Sequence, residues 1–134
     1  MTMKETMSTN ELDILRFFDG KPAALALYGV LAQRTRAMVP DQRIEAKKTQ
    51  ISFYSRHCFA AVSFLPVRRA KDRPKEYITV TFGLAYRLDS PRIDAASEPY
   101  PRRWTHHVLV AAAEEIDSEL LGWIREAADF AARK

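Results

Sequence analysis

Between Glu76 and Arg87 the chain alternates with a period of two: Ile78, Val80, Phe82 and Leu84 face one way, Tyr77, Thr79, Thr81 and Ala85 the other. Successive strand side chains point to opposite faces of a sheet, so this stretch predicts a strand with one apolar and one polar side. The same period holds at Ile51 and Phe53, which alternate with Gln50, Ser52 and Tyr54. Cys58–Leu65 is a more uniformly apolar strand, and Trp104–Val110 a fourth. Ser90–Arg103 carries Pro91, Pro99 and Pro101, whose missing amide hydrogens argue against a central strand there.

On either side of these strands the period becomes helical. Ser8-Thr9-Asn10-Glu11 has the form of a capping box and opens a short helix with Leu12, Leu15 and Phe18 on one side. Gly20 suits the turn after that helix, and Pro22 the start of the next. The second helix carries Leu25, Tyr28, Leu31, Ala32, Thr35 and Met38 and ends before Pro40. The strongest helical pattern runs from near Glu114 to Ala132, with Ile116, Leu120, Trp123, Ile124, Ala127 and Phe130 along one face. Glu114, Glu115 and Asp117 then fall in its first turn, near the positive end of the helix dipole. Trp123 is expected to be largely buried. The expected class is α+β: an antiparallel meander of three to four strands, with two N-terminal helices and one long C-terminal helix packed on one face.

At 134 residues, 47% hydrophobic and 28% charged, the chain is the size and composition of one globular domain. Residues 1–9 are expected to form a flexible leader and 10–134 a single domain. The polar N-terminus has no apolar run of a secretory signal, so a cytoplasmic location is expected. No segment has the roughly 18 apolar residues that a membrane span needs, so no membrane partner is implied. Cys58 is the only cysteine, which excludes an intramolecular disulfide, and its apolar setting predicts a small buried hydrophobe.

The chain resembles a known family in several stretches. The first are Lys48-Thr49-Gln50-Ile51-Ser52-Phe53-Tyr54, Arg56 and Phe59-Ala60-Ala61-Val62. Tyr77-Ile78-Thr79-Val80-Thr81-Phe82, Arg87 and Thr105-His106-His107-Val108 follow. Glu115-Ile116-Asp117-Ser118-Glu119-Leu120, Trp123-Ile124 and Glu126-Ala127 close the pattern. Together these are similar to a bacterial domain-of-unknown-function family, found alone or attached to larger proteins, some of them restriction-related. The likeness covers about residues 20–132. It implies an antiparallel α+β fold and a bacterial cytoplasmic setting, and it supplies no catalytic residues. In one departure from the pattern, Ala111-Ala112-Ala113 stands where a Ser or Asp cap is expected before Glu114.

No Walker loop, dinucleotide-binding fingerprint, nucleophile elbow or H-E-x-x-H motif is present. His106 and His107 are neighbours on a strand and point to opposite faces, so they cannot hold one metal together. His106 shares a side with Trp104 and Val108 and reads as a hydrogen-bonded core histidine. His107 lies on the polar side with Thr105 and is the better functional candidate. Gln50, Ser52 and Tyr54, Tyr77, Thr79 and Thr81, and Thr105 and His107 are expected to meet on one sheet face, as ligand groups or as a solvated surface.

Charge is uneven. Residues 43–75 hold nine Lys or Arg against two acids, whereas 104–134 hold six acids against three bases, within a net charge of +4. A basic stretch of this kind is the footprint of a phosphate-bearing partner, unless it is simply a solvated loop. The sequence reading is therefore a non-enzymatic binding module for an anionic partner such as nucleic acid, with Lys48, Arg56, Arg68, Arg69 and Lys71 as phosphate contacts. A small enzyme or small-ligand binder with a pocket around Tyr54, Arg87, Arg92 and His107 is the first alternative. A module for homodimerisation or docking to another protein is the second. No motif implies a metal or an organic cofactor.

Overall fold

The computed structural model describes residues 9–134; the capping-box reading at Ser8 and nearly all of the expected leader lie outside these residues. The elements run α1 (Thr9–Phe17), α2 (Pro22–Met38), β1 (Arg43–Ala46), β2 (Ile51–Tyr54), β3 (Cys58–Ser63), β4 (Ile78–Leu84), β5 (Ala95–Tyr100), β6 (Arg103–Val110) and α3 (Ser118–Ala132). The strands form one antiparallel sheet in the order β1-β2-β3-β4-β6-β5. The α+β class holds, but the sheet has six strands and not three or four. Each extra strand lies at an edge. β1 is only four residues, too short to declare a period. β5 contains Pro99, which falls where the register with β6 shifts between Ser97 and Tyr100, so its missing N–H breaks no regular ladder.

The core forms on one side of the sheet. Ile78, Val80, Phe82 and Leu84 of β4 pair with Val110, Val108, His106 and Trp104 of β6. Their row continues through Val62 and Ala60 of β3 to Ile51 and Phe53 of β2. Leu120, Ile124, Ala127 and Ala131 of α3 and Ala24, Leu27, Tyr28 and Leu31 of α2 are buried with these residues. Each fully buried Ile, Leu or Phe here contributes about 1.5–3 kcal/mol relative to exposure.

The start of α3 differs from expectation. Ala113–Glu115 forms a 3-10 turn, Glu115 accepts the N–H groups of Ala111 and Ala112 at 2.7 and 2.8 Å, and the helix proper begins at Ser118. Its cap is Asp117, whose Oδ1 accepts the Leu120 N–H at 3.0 Å. The capping residue missing before Glu114 is thus present three positions later. Asp117 and Glu119 also receive Arg92 Nη1 at 2.8 and 2.9 Å, while Nη2 donates to the Glu115 carbonyl at 2.7 Å. Trp123 is more than half buried and packs against the core. It flanks the stripe centred on Ile124, so its ring stacks on Phe82 at 6.1 Å while the Arg92 guanidinium lies over it at 5.8 Å.

α1 also docks by a different side from the one its pattern suggests. Leu12 and Leu15 are 39% exposed, while Phe18 is buried with Ile14 and Phe17 packed beside it. An aromatic cluster explains this: Phe17 stacks on Phe64 at 4.8 Å, and Phe18 meets Phe64 edge-on at 5.6 Å and Tyr28 at 5.2 Å. Gly20, at φ +73°, makes the left-handed turn into α2. At the other end of α1, Asn10 donates to the Ile44 carbonyl at 2.8 Å and accepts the Ala46 N–H at 3.0 Å. One side chain thereby occupies the outer edge of β1, which would otherwise be open to a further strand.

The two candidate starts of α3 can be told apart by mutation. Asp117→Ala should lower stability by about 0.5–2 kcal/mol, the usual loss for a cap, while Glu114→Ala should stay within about 0.5 kcal/mol. Chemical denaturation of both variants checks this, and a larger loss at Glu114 would return the helix start to that residue.

Candidate functional site

The sheet's second face carries the polar residues. Register aligns Ser52, Ala61, Thr81, His107 and Ala95 in one row across five strands, with Ser63, Thr79 and Leu109 in a neighbouring row. The chain after β3 folds over one end of this face. Thr79 Oγ1 donates to the Leu65 carbonyl at 2.7 Å and the Tyr77 hydroxyl to the Phe64 carbonyl at 3.0 Å, which buries Thr79 and Leu109. Ser52 and Ala61 are buried as well, whereas Ser63, Thr81 and His107 stay partly exposed and line a cleft of 610 Å³.

Thr81, His107 and Gln50 line the floor of this cleft. Phe17, Phe64 and Leu65 form an apolar wall, and Arg16, Lys21 and Lys48 bring three cations. Among the described residues no carboxylate lines it. Lys21 Nζ sits 4.8 Å from the centre of the Phe64 ring, and Arg16 has only a 3.4 Å pair with exposed Asp13, an arrangement worth little in water. Thr81 Oγ1 and His107 Nδ1 are 2.8 Å apart. Burial pushes the His107 imidazole below its ordinary pKa, so the ring is neutral at neutral pH, and the Thr81 pairing leaves Nε2 for another partner. Gln50 Nε2 donates to Ser52 Oγ at 2.8 Å, which leaves the amide oxygen as an acceptor.

The residues singled out from sequence are dispersed. Lys48 lies in the cleft. Arg56 is exposed in the β2–β3 turn, at the opposite end of those strands from Lys48. Arg68 is bound by Asp94, with Nε at 2.7 Å and Nη2 at 3.4 Å, while Asp94 also accepts the Leu109 N–H at 2.7 Å. Its charge fastens the 66–74 connection to the sheet. Arg69 pairs with Asp72 at 3.6 Å, and Lys71 is exposed on the short 3-10 turn Ala70–Asp72. Tyr54 is flanked by Arg43 and Lys47 at 4.9 and 5.2 Å, and its hydroxyl accepts Lys47 Nζ at 2.6 Å. Arg87 lies over Trp104 at 5.8 Å and lines a separate hollow of 320 Å³ with Asp89, Ser90 and Asp94. Arg92 belongs to the start of α3. The structure therefore does not bring Tyr54, Arg87, Arg92 and His107 into one pocket.

Arg16 and Lys21 were not legible as site residues. Position 16 reads as the polar side of a helix and position 21 as punctuation between two helices; only the docking of Phe17 on Phe64 carries both to the cleft. Cys58 corrects another expectation, since it is exposed. The β2–β3 register shifts between Phe53 and Tyr54, so Cys58 stands opposite Tyr54 at the strand's start and Phe59 takes the buried position. His106 is a core histidine: it is buried, stacked on Phe82 at 5.3 Å, and its Nε2 accepts the Leu88 N–H at 3.0 Å. That bond places the ring proton on Nδ1, and burial lowers the ring's pKa, offset in part by a hydrogen bond with the Phe82 backbone.

Fold and cleft define a small α+β domain with one covered and one open sheet face. Among the described residues no cluster of His, Cys, Asp and Glu forms a metal site, and no helix is long and apolar enough to cross a membrane. The chain belongs to the family described as Domain of unknown function (DUF5655), whose model matches residues 15–131. No curated protein and no solved structure matches it.

Two measurements follow from these side chains. Both His106 and His107 have folded pKa values below 6.5, so the unfolded chain takes up protons that the folded one refuses. Their contribution to stability is therefore complete above about pH 6.5 and declines as pH falls below it. Denaturation at pH 8 to 5 should show that decline, and His106→Gln, which keeps an acceptor for Leu88 but does not titrate, should flatten it; an unchanged slope contradicts the assignment. Exposed Cys58 should react with a thiol reagent in the native protein about as fast as in the unfolded one. Protection of the native thiol would mean that the β2–β3 turn is closed over it.

Proposed function

We propose that this domain is a binding module that holds an anionic partner, nucleic acid being the class we favour, in the cleft on the open sheet face. One observation carries the reading: Arg16, Lys21 and Lys48, from separate parts of the chain, line one cleft that no carboxylate of the described residues lines. A concave site with cations of one sign focuses the field and attracts phosphates. Two basic side chains outside the cleft make a contrast, since Arg68 and Arg92 are tied to carboxylates at 2.7–2.9 Å. Within the cleft Lys48 keeps the role the sequence suggests, and Arg16 and Lys21 replace the more distant loop cations.

The alternative of a small enzyme draws no support from the geometry. His107 has Thr81 as its partner and no carboxylate beside it to orient a general base, and Arg92 is engaged at the start of α3.

A fluorescence titration of the intact chain with labelled oligonucleotides at low salt tests the proposal. Lys21→Ala combined with Lys48→Ala should weaken binding about tenfold or more, because two phosphate contacts are lost, and should leave thermal stability nearly unchanged. Arg69→Ala combined with Lys71→Ala should bind as the parent does. The reverse pattern, or no binding even at low salt, would refute the cleft as an anion site.

A further inference from the structure

Resting on that reading, we infer that the cleft takes a single-stranded nucleic acid, with phosphates at Arg16, Lys21 and Lys48 and a base over Thr81 and His107. The cleft does not end at these two floor residues. A smaller hollow of 180 Å³ continues along the same face, lined in part by Cys58, Gly83 and Thr105, and it shares Gln50 and Thr81 with the cleft. Among the described residues no charged side chain lines this extension. The combined groove is cationic at one end and offers uncharged hydrogen-bonding groups beyond. That division matches a strand whose phosphates and bases lie on different sides.

The dimensions agree. Gln50 immediately precedes β2 and His107 stands on β6, with β3 and β4 between those strands, so the groove floor is roughly 14 Å wide at the usual strand spacing of about 4.8 Å. Leu65, 46% exposed beside the Phe17–Phe64 stack, gives an apolar surface for the face of a base. The Gln50 amide oxygen, the Thr81 hydroxyl and the His107 imidazole are groups that can read a base edge.

A duplex has the opposite arrangement, with phosphates outside and base edges recessed in grooves, so it would meet the rim and leave the floor untouched. It would also need cations spread over a wider surface. Of those in the basic stretch, Arg68 is held by part-buried Asp94, and Arg56 and Lys71 lie outside the cleft lining. A single strand needs only a few cations, because its bases can be splayed onto the protein.

The test compares short single-stranded DNA and RNA with the matching duplex, using the intact chain over a range of salt. The single strand should bind at least about tenfold tighter than the duplex, with a log–log salt slope near −2 from three contacts at roughly −0.7 each. Thr81→Val and His107→Gln should each change the preference among homopolymeric strands while leaving that slope unchanged; the second variant covers the case in which the first fails to fold. Equal binding of duplex and single strand, both lost with Lys21→Ala and Lys48→Ala, would overturn the single-strand inference and leave the anion-binding reading standing. Unchanged base preference in folded variants would overturn the placement of the base. Absence of binding to any nucleic acid would overturn both readings.

Discussion

The pairing of β4 with β6, from Ile78 opposite Val110 to Leu84 opposite Trp104, is the constraint on which both sides of the molecule depend. Side chains alternate along each strand, so the register that sets Val80 against Val108 under the helices also sets Thr81 against His107 on the open face. A slip by one residue would expose the valines and press a hydroxyl and an imidazole into the apolar layer. Burial of the aliphatic row therefore holds the Thr81–His107 pair in place without any contact between the two faces. His106 belongs to the same ladder from the other side: its ring fills the row beside Phe82 and fixes the start of the 85–94 connection through Leu88.

Charge has two separate uses in this chain. Some arginines act as fasteners. Arg68 joins the 66–74 connection to Asp94, which in turn caps the Leu109 amide, and Arg92 gathers Asp117, Glu119 and the Glu115 carbonyl where α3 begins. In the second pair of contacts, an acidic cap and a basic side chain reinforce each other, which holds the Asp117 carboxyl below its ordinary pKa. The other set of cations, Arg16, Lys21 and Lys48, lines the cleft, where no carboxylate stands among the described residues. Arg68 of the basic middle is thus tied to Asp94, and Asp117 and Glu119 of the acidic end to Arg92, so both fasteners run through the 85–94 connection.

Much of the fold is legible because a period of two or of 3.6 is a direct statement of what will be buried. β4 has the longest unbroken pattern, and it lies at the centre of the sheet between β3 and β6. The edge strands are hidden for the same reason: Arg43-Ile44-Glu45-Ala46 is too short to show a period, and Ala95–Tyr100 is mostly exposed and contains a proline. The side of α1 that packs is set by Phe64, a residue more than 40 positions away, so its own pattern points to Leu12 and Leu15 instead. The candidate site is legible only in part. Lys48, Thr81, Gln50 and His107 belong to strands or their turns, and the polar face assembles them by register. Arg16 and Lys21 arrive by helix docking, which no local pattern encodes. Arg68 misleads in the opposite direction, because its partner Asp94 lies 26 residues away and a charge in a loop reads as free until that partner is seen.

The central claim is that the open sheet face, at the cleft between α1 and the β1–β2 turn, is where this domain meets its partner. A heteronuclear NMR titration of the isotope-labelled chain with a short single-stranded oligonucleotide tests it most directly. The account predicts that amide shifts concentrate at Lys48, Thr49, Gln50, Thr81 and His107, with the His107 ring signals moving alongside them. Shifts that instead concentrate in residues 68–73, or along α3, with the cleft amides unmoved, would contradict it.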